Sequence, residues 1–389
     1  ESSVNRVFKS ILAMSGMALV LGASLSAFAD STVEIVQSVP IETTLEVPGI
    51  RQTQQVWLEM INSAHSTIDI EEFYVSSKPG EALDPILSAI RAAAQRGVRV
   101  RFLIDLKFYK NYSEGPNLLG QIPNVLVKSI DFSPAVQHSK YFIVDQFNVY
   151  LGSANFDWLA LSHIHEIGLH IQDPDVGQRL ESVFDKDWED AVFVQKQNPS
   201  NPRPLLSSLA TSAGAGFRVV ASPPSRNPTE MPDSLAGITS LLKEAKSSIK
   251  IQVYQYSTNS VHGSGSWHQL DSAIRCAAAR GVKVQLLVDA VSLKGGHSEL
   301  KALAGLNNIE VKSVILPEWS GGHLNYARLI HSKYFTIDGT TAWVGTENWS
   351  EGYFTSSRNV GVIFQSTEAA SKLEQVFSQV WNSAYASSI

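Results

Sequence analysis

A single cysteine, Cys276, in 389 residues rules out an intramolecular disulfide framework. Its setting in IRCAAARG reads as a helix that turns this residue to the core, a place for a small apolar side chain rather than a nucleophile. A strong excess of either charge is also missing. The net charge of -6 gives no general attraction to nucleic acid or anionic lipid, so any such attraction must come from a local basic patch. No long basic stripe is present, and no amphipathic membrane helix stands out. Beyond the amino-terminal segment, no run approaches the ~20 apolar residues that span a bilayer. What remains is ordinary for a globular chain: 44% hydrophobic and 17% charged, with length enough for two domains.

The amino-terminal segment differs. Arg6 and Lys9 precede the small-residue apolar run ILAMSGMALVLGASLSAFA, which ends in Ala27-Phe28-Ala29. A basic start, an apolar middle and an A-x-A end predict a cleavable secretory signal over 1–29. An uncleaved anchor is the alternative, and the Gly and Ser interruptions argue against it. The expected mature protein is exported, periplasmic or secreted, with no stable membrane span after signal removal. Export without disulfide cysteines fits a bacterial route.

Past that segment the chain repeats itself. SAIRAAAQRGVRVRFLID (88–105) and SAIRCAAARGVKVQLLVD (272–289) each read as a helix, a glycine at its end (Gly97, Gly281) and a buried strand. STIDIEEFYVSS and SSIKIQVYQYST are matching strands, and VEIVQSVP and FRVVASPP open the copies alike. LESVFDKDWEDA and LEQVFSQVWNSA close them as amphipathic helices. Strands alternating with helices predict α/β layers around a mostly parallel sheet covered on both faces. The expected division is a first lobe over 30–196, a Pro- and Ser-rich linker over 197–216, and a second lobe over 217–389. Two copies of one fold place their shared motif at a pseudo-twofold interface, so the expected unit is a monomer that is internally a pseudo-dimer.

That motif is HSKYFIVD (138–145) and HSKYFTID (331–338), followed by Gly152-Ser153-Ala154-Asn155 and Gly345-Thr346-Glu347-Asn348. Among ten histidines one His-x-Lys is chance; two with the same spacing and flanks are not. Alternation along a strand puts His138 and Lys140 on one face, and His331 and Lys333 likewise. Two imidazoles and two ammonium groups converging make a concave cationic site for one phosphodiester. One neutral imidazole can attack phosphorus, while the other, protonated, donates to the leaving oxygen and then activates water. Lys140, Lys333, Asn155 and Asn348 would neutralise the non-bridging oxygens, with Ser153 and Thr346 adding hydroxyl donors. Fixed cations replace Mg²⁺ here, so no metal or cofactor is required. Glu166 follows Asn155 by the offset at which Asn359 follows Asn348, so the halves are chemically unequal. Asp145 and Asp338 fall where aspartate stabilises a turn. His163 and His165 alternate like a metal pair, but packed or solvated side chains are the simpler reading.

These residues resemble the HxKxxxxD…GSxN signature of the phospholipase D superfamily, present twice over nearly all of 33–386. GSANFDW, ARLIHSKY and GTENWSEGYFT are similar to the branch of lysosomal phospholipase-D-like 5′-exonucleases and related poxvirus envelope proteins. The resemblance implies a duplicated phospholipase-D-like fold of two α/β/α sandwich lobes with one shared active site. It also implies a covalent phosphohistidine, with His138 as nucleophile and His331 as general acid. Lys140, Lys333, Asn155 and Asn348 would hold phosphate, supported by Ser153 and Glu166. Glu166 beside the first motif is expected to favour attack from His138. The chemistry is common to the superfamily, so the leaving group stays open. The branch favours single-stranded nucleic acid cut from its 5′ end; phospholipid headgroup hydrolysis or exchange is the alternative, and a non-catalytic envelope-type protein a second. Tyr74, Tyr256, Trp349, Tyr353 and Phe354 could stack bases or equally pack the core. Arg328 and His323 could meet a further phosphate.

Overall fold

A computed structural model describes residues 31–195, 216–261 and 265–389. The expected signal over 1–29 lies outside the described residues, as does all of the expected linker except Gly216.

The first lobe is built on strands β1 (Thr32–Ser38), β2 (Thr67–Glu72), β3 (Arg99–Asp105), β4 (Val125–Ile130), β5 (Tyr141–Val144), β6 (Asn148–Gly152) and β7 (Glu166–Gln172). The second is built on β8 (Phe217–Ser222), β9 (Ser248–Val253), β10 (Lys283–Asp289), β11 (Ile309–Val314), β12 (Lys333–Ile337), β13 (Thr341–Gly345) and β14 (Asn359–Gln365). In space the first lobe runs β1-β7-β6-β5-β2-β3-β4, and the second repeats that order as β8-β14-β13-β12-β9-β10-β11. The duplication seen in the sequence is thus a duplication of topology.

The sheets are mixed rather than mostly parallel. Among the strands named above, those joined through helices run parallel, as β2, β3 and β4 do. The motif strand β5 instead turns back tightly into β6, and it lies antiparallel to both β2 and β6. The hairpin that carries the chemistry therefore sets the strand sense of half of each sheet.

Helices α1 (Thr53–Asn62), α2 (Asp84–Gln95), α3 (Glu114–Leu119) and α4 (Pro174–Asp190) belong to the first lobe. Helices α5 (Ser234–Glu244), α6 (Gln269–Ala279), α7 (Leu293–Ala304) and α8 (Thr367–Trp381) belong to the second. Val56 and Ile90 pack on the outer face of the first sheet, and Ile238 and Ile274 on that of the second. A third core joins the inner faces: Ile35 and Leu169 of one lobe meet Val219 and Val362 of the other, with Leu180 of α4 and Leu373 of α8. Both faces of each sheet are therefore covered, and burial of this shared core holds the lobes together. Gly97 and Gly281 follow their helices at φ +96° and +93°, the left-handed position that glycine takes without steric cost. Cys276, expected in the core, is exposed: α6 buries Ala273, Ile274 and Ala277 and turns residue 276 to solvent. Among the described residues, no helix is long and apolar enough to cross a membrane.

Candidate active site

The two motifs meet at the lobe interface, and the backbone brings them there. Arg358 donates its N–H to the carbonyl of Val136 (3.0 Å) and accepts the N–H of His138 (2.8 Å). His165 does the same in the other half, donating to Leu329 (2.8 Å) and accepting from His331 (2.9 Å). Each histidine is thus held by a strip of chain from the opposite lobe. Aspartates at the ends of β3 and β10 fix the preceding residue: Asp105 accepts from the N–H of Gln137 at 2.8 Å, and Asp289 from Ile330 at 3.0 Å. Both were visible as the matching final aspartates of the two long repeats, a signal the motif reading passed over.

The side chains cross in the same way. His138 Nδ1 lies 3.0 Å from Asn359 Oδ1. His331 Nδ1 lies 3.0 and 3.1 Å from the two oxygens of Glu166. Glu166, which follows the first motif in sequence, thus orients the imidazole of the second, because the β7 carboxylate points across the interface. The Asn359 amide is oriented by its own bonds. Its Nδ2 donates to the carbonyl of Tyr353 at 2.8 Å, so Oδ1 faces His138 and receives the Nδ1 proton. That tautomer leaves Nε2 of His138 with a free lone pair. Thr346 Oγ1 lies 3.0 Å from the same Asn359 oxygen and accepts the N–H of Val360 at 3.1 Å. Ser153 exchanges bonds with the backbone of Ile167 and assists Glu166. Ser153 and Thr346, expected to touch substrate, instead support the two orienting groups.

Lys140 and Lys333 are fully buried, and each donates to the carbonyl of its own motif histidine, Lys140 at 2.6 Å. An aromatic ring stands beside each pair. Phe73 lies 4.9 Å from His138 and 5.0 Å from the Lys140 ammonium. Tyr254, at the matching position, lies 4.9 Å from His331 and 5.4 Å from Lys333. Tyr353 adds a second ring 4.9 Å from His138; its counterpart in the first copy is Ala160. The side-chain oxygens of Asn155 and Asn348 have no hydrogen-bond partner, so neither amide oxygen is tied up in holding the fold.

Burial sets the protonation of the resting site. It drives His138 well below the usual imidazole range, helped by the neighbouring Lys140 charge. It lowers His331 to about 4, with Glu166 opposing the shift. Burial would raise Glu166, but His331 and Lys333 outweigh it and keep the carboxylate ionised. Lys140 falls to about 7 and Lys333 drops strongly, both through burial. Burial thus weakens the hold of all four basic groups on their protons, and an anion entering the site would strengthen it. Two further buried carboxyls, Glu72 and Glu347, are raised by burial, Glu347 to about 7.

The motif glycine is explained by contact. A Cβ on Gly152 would stand 2.6 Å from the Gly168 Cα and 2.7 Å from the Ile167 carbonyl, against the strand that carries Glu166. Asp145 accepts the backbone N–H groups of His65, Ser66 and Thr67 at 2.7–2.9 Å, and Asp338 does the same for Lys246, Ser247 and Ser248. Both aspartates are structural; they tie the hairpin turn to the loop before β2 or β9.

Several expected contacts fall elsewhere. Trp349 is buried in the outer core of the second lobe against Phe335 and Trp343, so it cannot stack a substrate. Phe354 and Tyr256 are buried there too. Arg328 is spent on the carbonyls of Pro317 and Ile41, joining two loops. His323 lies on an exposed loop paired with Glu318. The Tyr74 hydroxyl donates to Asp157, and its ring stands one ring away from His138, behind Phe73. His163 packs between Trp158 and Trp319, while His165 is buried. Among the described residues, no cluster of three or more His, Cys, Asp or Glu could hold a metal.

Comparisons with known proteins agree with this arrangement. A family model described as "Cardiolipin synthase, PLD-like domain" matches residues 57–188 and 238–381, once in each lobe. The chain is 29% identical over 388 residues to phospholipase D Z of Dictyostelium discoideum, covering 91% of this chain and 90% of that one. It is 29% identical over 404 residues to the 5'-3' exonuclease PLD3 of Rattus norvegicus, covering 90% and 79%. To the 5'-3' exonuclease PLD4 of Mus musculus it is 28% identical over 401 residues, covering 90% and 78%. The fold is similar to that of a phosphatidylserine synthase from Haemophilus influenzae, with a TM-score of 0.62 at 12% identity over 86% of this chain and 85% of the other.

Proposed function

Because this chain belongs to the PLD-like domain family and is a phosphodiester hydrolase of the phospholipase D superfamily, we propose that it works through a phosphohistidine on His138, with His331 as the acid. The crossed pairing carries this reading. The amide oxygen of Asn359 holds His138 neutral with Nε2 free, whereas the Glu166 carboxylate favours a proton on His331. Nε2 of His138 attacks phosphorus and the P–O bond to the leaving group breaks. The His331 imidazolium gives its proton to that oxygen. His331 then takes a proton from water, the hydroxide attacks phosphorus, and the P–N bond breaks to restore His138. Lys140, Lys333, Asn155 and Asn348 hold the non-bridging oxygens, where an ammonium regains its proton as the anion enters. These fixed cations occupy the role of a divalent ion, so turnover should survive EDTA.

The favoured substrate is single-stranded nucleic acid processed as by a 5′-exonuclease. Two of the relatives above are named as 5'-3' exonucleases, and Phe73 and Tyr353 set aromatic rings against His138, where a base could stack. Phospholipase D action is the second reading, favoured by an equally similar relative of that name. One experiment decides: labelled single-stranded DNA, RNA and phosphatidylcholine offered side by side to the protein. Nucleotide release is expected, and lipid turnover without it would overturn the preference.

A further inference from the structure

A groove of about 540 Å³ runs between α2 and α3 of the first lobe, bounded by Val75, Ser76, Arg91, Tyr112, Glu114 and Leu118. A second hollow of about 480 Å³ shares Arg91, Leu118 and Ile122 with it, so the channel continues along α2. The reaction described above uses neither. The groove wall is packed against the site in two places. Val75 and Ser76 pair in parallel with Phe156 and Asp157, the residues directly after Asn155. Tyr112, 37% exposed, stacks on Tyr74 at 5.0 Å and 24°. Tyr74 meets Phe73 at 5.6 Å, and Phe73 meets His138 at 4.9 Å. Three ring-to-ring steps therefore lead from the groove wall to the imidazole.

The lining is suited to a particular chemistry. Tyr112 offers a flat, partly exposed ring. Arg91 is exposed and has no carboxylate partner among the described residues. The other nearby acid, Asp84, is occupied by Ser77 and by the N–H of Gly80. Resting on the nuclease reading, we propose that this groove is a subsite for a nucleotide of the same strand lying beyond those on either side of the scissile phosphate. The base stacks on Tyr112, Glu114 accepts from an exocyclic amine, and Arg91 meets the phosphate. An acyl chain fits it worse, because it would cover Arg91 and Glu114 without pairing them. The volume is that of an ordinary small-ligand site.

The test uses the full chain and reports ratios. For wild type, Tyr112→Ala, Tyr112→Phe and Arg91→Gln, kcat/KM is measured on oligonucleotides of increasing length and on bis-p-nitrophenyl phosphate. Thermal melting checks that each variant is folded. The oligonucleotide-to-diester ratio should fall about tenfold or more in Tyr112→Ala, the size of one lost base stack, and recover in Tyr112→Phe. Arg91→Gln should flatten the dependence of log kcat/KM on log salt by about 0.7, the share of one single-strand phosphate contact. Unchanged ratios and salt slopes, in an enzyme that cleaves oligonucleotides, would overturn the subsite and leave the nuclease reading standing. A wild type that cleaves lipid and no oligonucleotide removes both. A Tyr112→Ala defect confined to long-chain lipid would make the groove an acyl site instead.

Discussion

Replacing Glu166 with Gln separates the two histidines most sharply. The carboxylate has no solvent exposure and lies 3.0 and 3.1 Å from Nδ1 of His331. It is the group that opposes burial and keeps the imidazole as high as about 4. Gln keeps the shape and an acceptor but removes the charge. At an effective dielectric near 20, a unit pair a few ångströms apart interacts by roughly 4 kcal/mol. Rearrangement and the amide's own bond return part of this, leaving a loss of about 2–4 kcal/mol in imidazolium stability. That corresponds to ~30- to 1,000-fold in any step needing a protonated His331, a range that overlaps the lower part of what a general acid typically contributes. The loss should depend on the leaving group. An alkoxide such as a ribose or glycerol oxygen needs the proton, whereas p-nitrophenolate leaves well without it. Glu166→Gln should therefore lose its full factor on a ribose or alkyl diester and much less on a p-nitrophenyl diester, read as kcat/KM at one pH. Equal losses on both would refute the assignment, since they would mean that Glu166 serves the attacking histidine.

Other expectations follow from the same geometry. The proposed mechanism needs the acid form of His331, whose free-enzyme value is lowered to about 4, so kcat/KM should fall as pH rises above about 4. A profile still climbing from pH 5 to pH 8 would contradict that. His138→Ala and His331→Ala should each abolish turnover without loss of the cooperative melt; full activity in either would remove the shared site. Asp145→Ala leaves three backbone N–H groups without their acceptor and should cost about 2 kcal/mol in denaturant melts, with activity kept below the transition. Asp187→Asn removes the charge facing Arg358, a buried pair at 2.6 Å that anchors the strip bonded to His138. It should lower kcat more than it raises KM and lower the melting temperature by several degrees.

The repeat makes the fold legible in the sequence, because a two-residue side-chain period and a helical period recur in the same order in both halves. The motif carries its own spacing and so announced His138, Lys140, His331 and Lys333. The partner of each histidine was not legible. Glu166 and Asn359 stand at matching offsets, and nothing in one chain says that they reach across rather than back. Arg358 was invisible for a related reason: its counterpart is His165, and the aspartate it meets, Asp187, corresponds to Val380. Trp349 misled because a tryptophan next to a motif asparagine reads the same whether it faces the site or the core. Phe73 and Tyr254 could have been found, since both follow the same strand in each copy and only their shared position gives them away.

The reciprocal strips at the interface bear on how such a site can change over time. In a symmetric dimer of two separate chains, one substitution at the orienting position would alter both imidazoles at once. Joined in a single chain, the positions are inherited independently, so Glu166 can persist while 359 becomes Asn. Covalent linkage thus does more than hold two halves together: it permits a constellation that is symmetric in its histidines and lysines to differ at the groups that orient them. For the same reason neither half carries a complete half-reaction, and shuffling one lobe between relatives would mismatch a histidine with its partner unless both orienting positions moved together.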